Sequence, residues 1–257
     1  MTGQRGGTTV ELGSDRFTSS YRVRFDESTP AGTLRTSGLL RFAQDIAWMH
    51  SEALGFDRAW YLERGLAWLV RAAEVTVLAA VPMGTSLAVG TQVVGHRKVW
   101  ARRRAEFRLP DGELAGTVLT DWVMIDGRGR LARVPEVFES RFPAPMTNDP
   151  LLRVELPTPP QSAAHRALIV RPQELDPIGH VNNAVYLDWV EESHLALGST
   201  DAADALDAVP RRYRLEYAAA AEAGTLLDAA TWRHGEGWAH SIRSDGGTEL
   251  LRALVGG

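Results

Sequence analysis

The feature that most constrains the fold of this chain is an order of predicted elements that occurs twice. In each half, a short strand leads into a turn with Pro and Gly, and a helical pattern of apolar residues follows. Four strand-like segments separated by Gly-containing turns come after each helix. The turns match at Gly32 and Gly179, and the helices match at Leu40-Arg-Phe42 and Leu187-Asp-Trp189. The repeat therefore predicts two copies of an antiparallel sheet curled around a buried helix.

The predicted elements follow the same order in both halves. The first half has a strand at 21–25, a helix between residues 34 and 54, and strands at 68–78, 86–98, 99–109 and 114–125. The second half has a strand at 167–170, a helix between residues 181 and 197, and strands at 212–219, 225–234, 238–244 and 249–255.

A proline-rich segment separates the two halves. Six of the 13 prolines fall between Pro143 and Pro160, where they prevent both a helix and a central strand. We therefore expect a flexible tail at 1–15, one domain at 16–142, an extended linker at 143–164 and a second domain at 165–257.

Composition excludes several classes of function. With 28 Lys and Arg against 32 Asp and Glu, the net charge is −4, so nothing favours nucleic-acid binding. The absence of cysteine rules out disulfides, cysteine–zinc sites and cysteine nucleophiles. No apolar run is long enough to span a bilayer, and the first residues lack an apolar signal core. We expect a cytoplasmic protein without membrane insertion, metal or cofactor.

The segment 176–189, with the sequence DPIGHVNNAVYLDW, carries the chemistry. Asp176 and His180 lie four residues apart in a Pro/Gly turn, immediately before the second predicted helix. A carboxylate can attack a carbonyl or activate water, and an imidazole exchanges protons near neutral pH. The start of a helix carries unpaired N–H groups that can stabilise an oxyanion. Together these groups suit the hydrolysis of an activated carbonyl.

The same segment resembles the signature of the hotdog-fold thioesterases. Its Asp-Pro-x-Gly opening is similar to the 4-hydroxybenzoyl-CoA thioesterases, and its HVNN-x-x-Y-x-x-W continuation is similar to the acyl-ACP thioesterases. The resemblance implies an α+β fold of two tandem hotdog domains, a double hotdog. It also implies an acyl thioesterase that acts on thioesters of acyl carrier protein, with coenzyme A as the second choice of carrier. A monomer or a homodimer of double hotdogs would fit.

The resemblance also assigns roles to the residues of the motif. Asp176 would act as nucleophile or general base, and His180 would orient the thioester or water. Backbone N–H groups of Val181, Asn182 and Asn183 would face the oxyanion. The two asparagines would also tie the loop to the helix and to the neighbouring copy.

The first half is expected to bind substrate without catalysing. Where the second turn has Ile178-Gly-His180, the first has Ala31-Gly-Thr33 and no imidazole. Trp68-Leu-Val-Arg71 resembles the first-half strand of the acyl-ACP thioesterases, so Trp48, Trp68 and Arg71 are candidate substrate-binding residues. A basic cluster at residues 97–98 and 102–104 is either a solvated strand surface or a site for a phosphate or an acidic carrier.

Two departures from the family pattern keep other functions open. Ile178 stands where the acyl-ACP thioesterases usually have Asn, and Ala220 stands where they have Glu; Glu222 lies two residues further on. These losses would suit an acyl-binding hotdog protein without catalysis. A hotdog dehydratase is a weaker alternative, because it pairs its His with an acid on the long helix rather than in the same turn.

Overall fold

The computed structural model describes residues 16–142 and 144–256. These residues form two compact units. One contains the described residues up to Arg71 together with Ala79–Leu151, and the other contains Ala72–Leu78 and the described residues from Leu152 onward. The predicted tail at 1–15 lies outside the described residues.

The first unit packs one long helix against an antiparallel sheet. Its elements are β1 (Arg16–Arg22), α1 (Thr36–Ala53), α2 (Arg58–Arg64), β2 (Leu66–Val77, divided between the units), β3 (Ser86–Arg97), β4 (Trp100–Arg108), β5 (Leu114–Asp126) and α3 (Glu136–Arg141). The strands β1, β3, β4 and β5 are neighbours in that order. Leu40 and Ile46 of α1 are fully buried, so this helix supplies the apolar centre of the unit.

The second unit repeats the arrangement. It contains β6 (Ala164–Ile169), α4 (Asn183–Leu195), α5 (Thr200–Asp207), β7 (Arg211–Tyr217), β8 (Leu226–His234), β9 (Gly237–Ser244) and β10 (Glu249–Gly256). The antiparallel order is β7, β10, β9, β8 and β6, and Ala72–Val77 of β2 pairs with β7. Leu187 and Val190 of α4 are fully buried.

The sequence missed the short helices α2, α3 and α5, and it misplaced the first strand, which ends at Arg22 rather than reaching residue 25. Local capping explains why two of these helices, α2 and α5, form. Asp57 accepts a hydrogen bond from the Trp60 N–H at 2.8 Å and Gly65 ends α2 with φ +59°, while Ser199 caps α5. These signals are visible in the sequence, but the helices are too short to show apolar periodicity.

The proline-rich segment is anchored rather than loose. Val154 is 3% exposed, and its N–H donates to the buried Glu216 carboxylate at 2.9 Å. Arg153 donates to the same carboxylate at 2.7 Å. The described residues between Ala144 and Ala163 contain no helix or extended strand, as proline predicts. No helix of the described residues has the length and apolar character needed to cross a membrane.

Candidate active site

The turn that carries Asp176 and His180 is closed by its own backbone. It follows a short 3-10 helix at Pro172–Glu174. The Asp176 N–H donates to the His180 carbonyl at 2.7 Å, and the Gly179 N–H donates to the Asp176 carbonyl at 3.0 Å. Gly179 has φ +83°, a left-handed conformation that favours glycine. The two candidate catalytic residues are therefore held at the two ends of one tight turn.

The two oxygens of the Asp176 carboxylate have different environments. Oδ1 accepts hydrogen bonds from the backbone N–H groups of Ile178 at 2.9 Å and His180 at 3.2 Å. Oδ2 has no hydrogen-bond partner within the described residues. The side chain is half-buried. One oxygen thus fixes the rotamer, and the other is left to meet a water molecule or a substrate.

His180 is also half-buried, and its imidazole makes no hydrogen bond with another described residue. Its backbone closes the turn at both N–H and carbonyl. The structure thus places His180 in the same turn as Asp176 without joining their side chains. An imidazole that has no protein partner can face a substrate or a water molecule.

Helix α4 begins directly after this turn. Asn182 is its N-cap, and the Asn182 Oδ1 accepts from the Ala184 N–H at 2.9 Å. The buried Tyr217 hydroxyl donates to the Asn183 carbonyl at 3.1 Å. Burial raises the pKa of Tyr217, which keeps this hydroxyl protonated and able to donate. The predicted tie between the asparagines and the helix is present at Asn182.

Two of the three backbone N–H groups that were expected to face the oxyanion donate to carbonyl groups of the protein. The Val181 N–H donates to the Ala221 carbonyl at 3.3 Å, and the Asn182 N–H donates to the Glu174 carbonyl at 2.9 Å. Both N–H groups are engaged because the chain passes beside Ala221 and Glu174 on its way into the helix. The position of the helix start follows from the sequence, but these long-range partners do not.

Ala220 and Glu222 flank the residue that pairs with Val181. Both are exposed, and β7 has already ended at Tyr217. Glu222 forms no ion pair within the described residues. The alanine run thus passes beside the turn, and its one carboxylate follows Ala221 directly.

The first unit contains the same turn with different side chains. The Thr29 N–H donates to the Thr33 carbonyl at 2.7 Å, the Gly32 N–H donates to the Thr29 carbonyl at 2.9 Å, and Gly32 has φ +75°. Thr29 therefore stands in the place of Asp176, and Thr33 in the place of His180. Their hydroxyl oxygens lie 3.0 Å apart. This turn has neither a carboxylate nor an imidazole at the positions that matter.

The candidate substrate-binding tryptophans meet at Tyr61, a residue that the sequence analysis did not single out. Trp68 on β2 donates from Nε1 to the Tyr61 hydroxyl at 3.2 Å, and the Trp48 ring lies 6.2 Å from the Tyr61 ring. Trp48 is 39% exposed, whereas Trp68 packs against a cluster that includes Phe138. Arg71 is half-buried on β2.

The basic cluster is not one solvated surface. Arg102 donates to both oxygens of the fully buried Asp121 carboxylate at 2.6 and 2.8 Å, and Arg103 is buried. Three of the five cations stay exposed: Arg97, Lys98 and Arg104. A strand of period two sends neighbouring arginines to different environments. Within the described residues, no group of three or more His, Asp or Glu side chains could hold a metal ion.

Comparison with known proteins gives the family. The model of the acyl-ACP thioesterase N-terminal domain matches residues 14–141, and the model of the C-terminal domain matches residues 158–254. A chloroplastic acyl-[acyl-carrier-protein] hydrolase of Cuphea viscosissima is 24% identical over an alignment of 255 residues that covers 92% of this chain and 61% of the relative. A chloroplastic palmitoyl-acyl carrier protein thioesterase of Cuphea hookeriana is 22% identical, with 92% and 60% covered. The chain thus spans about three fifths of the length of these curated relatives.

Solved structures give the fold. A 12:0-ACP thioesterase from Umbellularia californica superimposes with a TM-score of 0.76 at 21% identity, covering 96% of this chain and 98% of that one. An acyl-ACP thioesterase from Bacteroides thetaiotaomicron also gives 0.76 at 18% identity, with 94% and 97% covered. The predicted α+β double hotdog is confirmed. Because the two family models together span most of the sequence, the chain belongs to the acyl-ACP thioesterase family.

Proposed function

We propose that this protein hydrolyses acyl thioesters to a free acid and a thiol, with acyl carrier protein preferred over coenzyme A as the carrier. The observation that supports it best is the Asp176 turn. It presents an imidazole and a carboxylate oxygen that has no partner among the described residues, both at the start of α4, in a chain of the acyl-ACP thioesterase family. A thioester is reactive enough that a nucleophile and a stabilised oxyanion suffice.

The reaction has two routes from the same oxygen. In one, Asp176 Oδ2 removes a proton from water, the resulting hydroxide attacks the carbonyl carbon, and the C–S bond then breaks as the departing thiolate takes that proton. In the other, Oδ2 attacks the carbon itself, the C–S bond breaks with release of the thiolate, and water then cleaves the acyl anhydride. In a single turnover in oxygen-18 water, label in the Asp176 carboxylate would identify the second route with attack of water on the Asp176 carbon, because attack of water on the acyl carbon leaves the label only in the released acid.

The oxyanion needs a donor other than the Val181 and Asn182 N–H groups. We propose the Asn182 side chain. Its Oδ1 is held by the Ala184 N–H, and its Nδ2 has no hydrogen-bond partner within the described residues. The partial positive charge at the start of α4 adds to this stabilisation.

Replacing Asn182 with Ser tests this role. Serine is an equally good N-cap, so the helix and the melting temperature should change little. The loss of the amide donor should lower kcat by about 10²-fold, the low end for an oxyanion donor. Activity near that of the wild type, at unchanged stability, would reduce Asn182 to a cap. The matched control is Ser199→Asn, which exchanges the same two residues at the cap of α5.

A catalytically inactive acyl-binding protein is the second candidate. Ile178 and Ala220 favour it, and so does the engagement of Asp176 Oδ1 by its own backbone, as in an ordinary structural turn. Incubation with a panel of acyl thioesters and a thiol-detecting dye separates the two functions. Release of thiol supports the thioesterase, and binding without release supports the inactive protein.

The change Ile178→Asn addresses the first departure from the family pattern. Ile178 is 48% exposed, so an amide fits without repacking a core. If the missing amide limits the rate, kcat should rise severalfold. A flat or lower rate would mean that Asp176 works without help from this position. Ile178→Leu is the control, because it changes shape without adding a polar group.

The cytoplasmic location, the absence of a cofactor and the choice between monomer and homodimer stay predictions. Assay of the purified chain without added metal tests the second, and light scattering tests the third.

A further inference from the structure

Arg103 is a buried cation that has no counter-ion among the residues the structure describes. It lies on β4 with 6% of its surface exposed. Its Nη1 lies 3.0 Å from the Nδ1 of His50 and donates to the Thr91 hydroxyl at 3.4 Å. The guanidinium also lies 5.3 Å from the centre of the Phe142 ring. All three partners are neutral groups, and no carboxylate of the described residues forms an ion pair with Arg103.

None of the titratable neighbours supplies the missing charge. Burial, and then the charge of Arg103, lower the pKa of His50 to about 3, so this imidazole stays neutral and accepts at Nδ1. Burial raises the pKa of the Tyr61 hydroxyl, so it stays a phenol. The pKa of Arg103 itself falls to about 10 through burial, which still leaves the guanidinium charged at neutral pH.

The neighbouring Arg102 shows what a compensated arginine looks like in this sheet. Two of its nitrogens meet the two oxygens of Asp121. In Arg103, by contrast, only Nη1 has a partner, and Nε and Nη2 have none within the described residues. Two N–H donors on one edge of a guanidinium match a carboxylate or a single oxygen acceptor. A buried charge in this condition is costly unless a ligand completes it.

The surroundings of Arg103 link it to the candidate acyl site. The ring centres of Phe142 and Phe138 lie 4.2 Å apart, and those of Phe138 and Trp68 lie 5.3 Å apart. Through Phe142, the cation therefore contacts the aromatic cluster against which the candidate substrate-binding residue Trp68 packs. We propose that Arg103 binds an oxygen on the acyl chain, so that the preferred substrates carry a hydroxyl, oxo or carboxylate group away from the thioester. This inference rests on the proposed thioesterase function.

The test compares coenzyme A thioesters of equal chain length with and without the oxygen. The series moves a hydroxyl along the chain and ends with a terminal carboxylate. For at least one position of the oxygen, the wild type should show a kcat/KM about tenfold or more above that for the unsubstituted acyl thioester. A hydrogen bond to a charged group stabilises enough to give a ratio of that size. Arg103→Met should bring the ratio to one or below. Arg108→Met, a half-exposed arginine on the same strand, should leave the ratio unchanged.

A second measurement does not depend on the variant or on turnover. Free acids with the favoured oxygen should raise the melting temperature of the wild type more than plain acids of the same length. Equal ratios for every thioester and equal shifts for every acid would overturn the inference and leave the thioesterase function intact. If no thioester is hydrolysed, the proposed function fails, and the melting shifts alone decide the role of Arg103. A ratio that persists in Arg103→Met would also overturn it.

Discussion

Replacing Asp176 with Asn is expected to lower kcat/KM for acyl thioesters by about two to four orders of magnitude. The amide keeps an oxygen that accepts the N–H groups of Ile178 and His180, so the turn should remain closed. Only the other oxygen, the one without a partner in the described residues, is exchanged for an NH₂ group. That group can neither attack a carbonyl nor take a proton. The measurement is thiol release together with the melting temperature.

The matched control for this variant is Asp26→Asn. Asp26 is an exposed carboxylate beside the equivalent turn of the first unit, where it faces Arg24 at 3.8 Å. It should leave activity unchanged. Turnover of Asp176→Asn within a few-fold of the wild type would remove Asp176 from the mechanism and favour the acyl-binding protein. His180→Ala should lower kcat/KM less than Asp176→Asn does. The His180 imidazole has no partner among the described residues, so its loss releases no other side chain.

Much of the candidate site could be predicted because its chemistry is local in sequence. Asp176, Gly179 and His180 belong to one turn, and Asn182 caps the helix that follows, so short-range rules locate them. The oxyanion donors could not be predicted in the same way. Whether the Val181 and Asn182 N–H groups are available depends on Ala221 and Glu174, and one of these partners lies in a distant segment.

In the fold, too, local features could be predicted from the sequence and long-range contacts could not. The repeat predicted both helix-and-sheet units, because apolar periodicity over long segments reports burial directly. It could not show that Tyr61 would join Trp48 and Trp68, since α2 is too short for a periodic signal. It also treated Arg102 and Arg103 alike. Their difference arises from Asp121, which lies on the neighbouring strand.

The two tryptophans of the candidate acyl site are expected to respond differently to substitution. Trp68→Ala should destabilise the protein by ~3 kcal/mol, because it leaves a cavity in the aromatic cluster and removes the donor to Tyr61. Trp48 is 39% exposed, so Trp48→Ala should cost under about 1 kcal/mol. If Trp48 contacts the acyl chain, its loss should shift the preferred chain length while the hydrolysis of short substrates continues. Denaturant unfolding and kcat/KM over a series of chain lengths measure the two effects.

The variant Trp68→Phe separates packing from recognition at the second position. It refills most of the cavity and lacks only the indole N–H, so stability should largely return. If Trp68 serves packing alone, the chain-length profile of Trp68→Phe should match the wild type. A profile that stays altered at restored stability would place Trp68 in contact with the substrate. If Trp48→Ala instead lowers activity equally at all chain lengths, the acyl chain does not pass Trp48. The assignment of substrate binding to this part of the first unit would then be wrong, because the loss of its exposed aromatic side chain would leave the preference for acyl chain length unchanged.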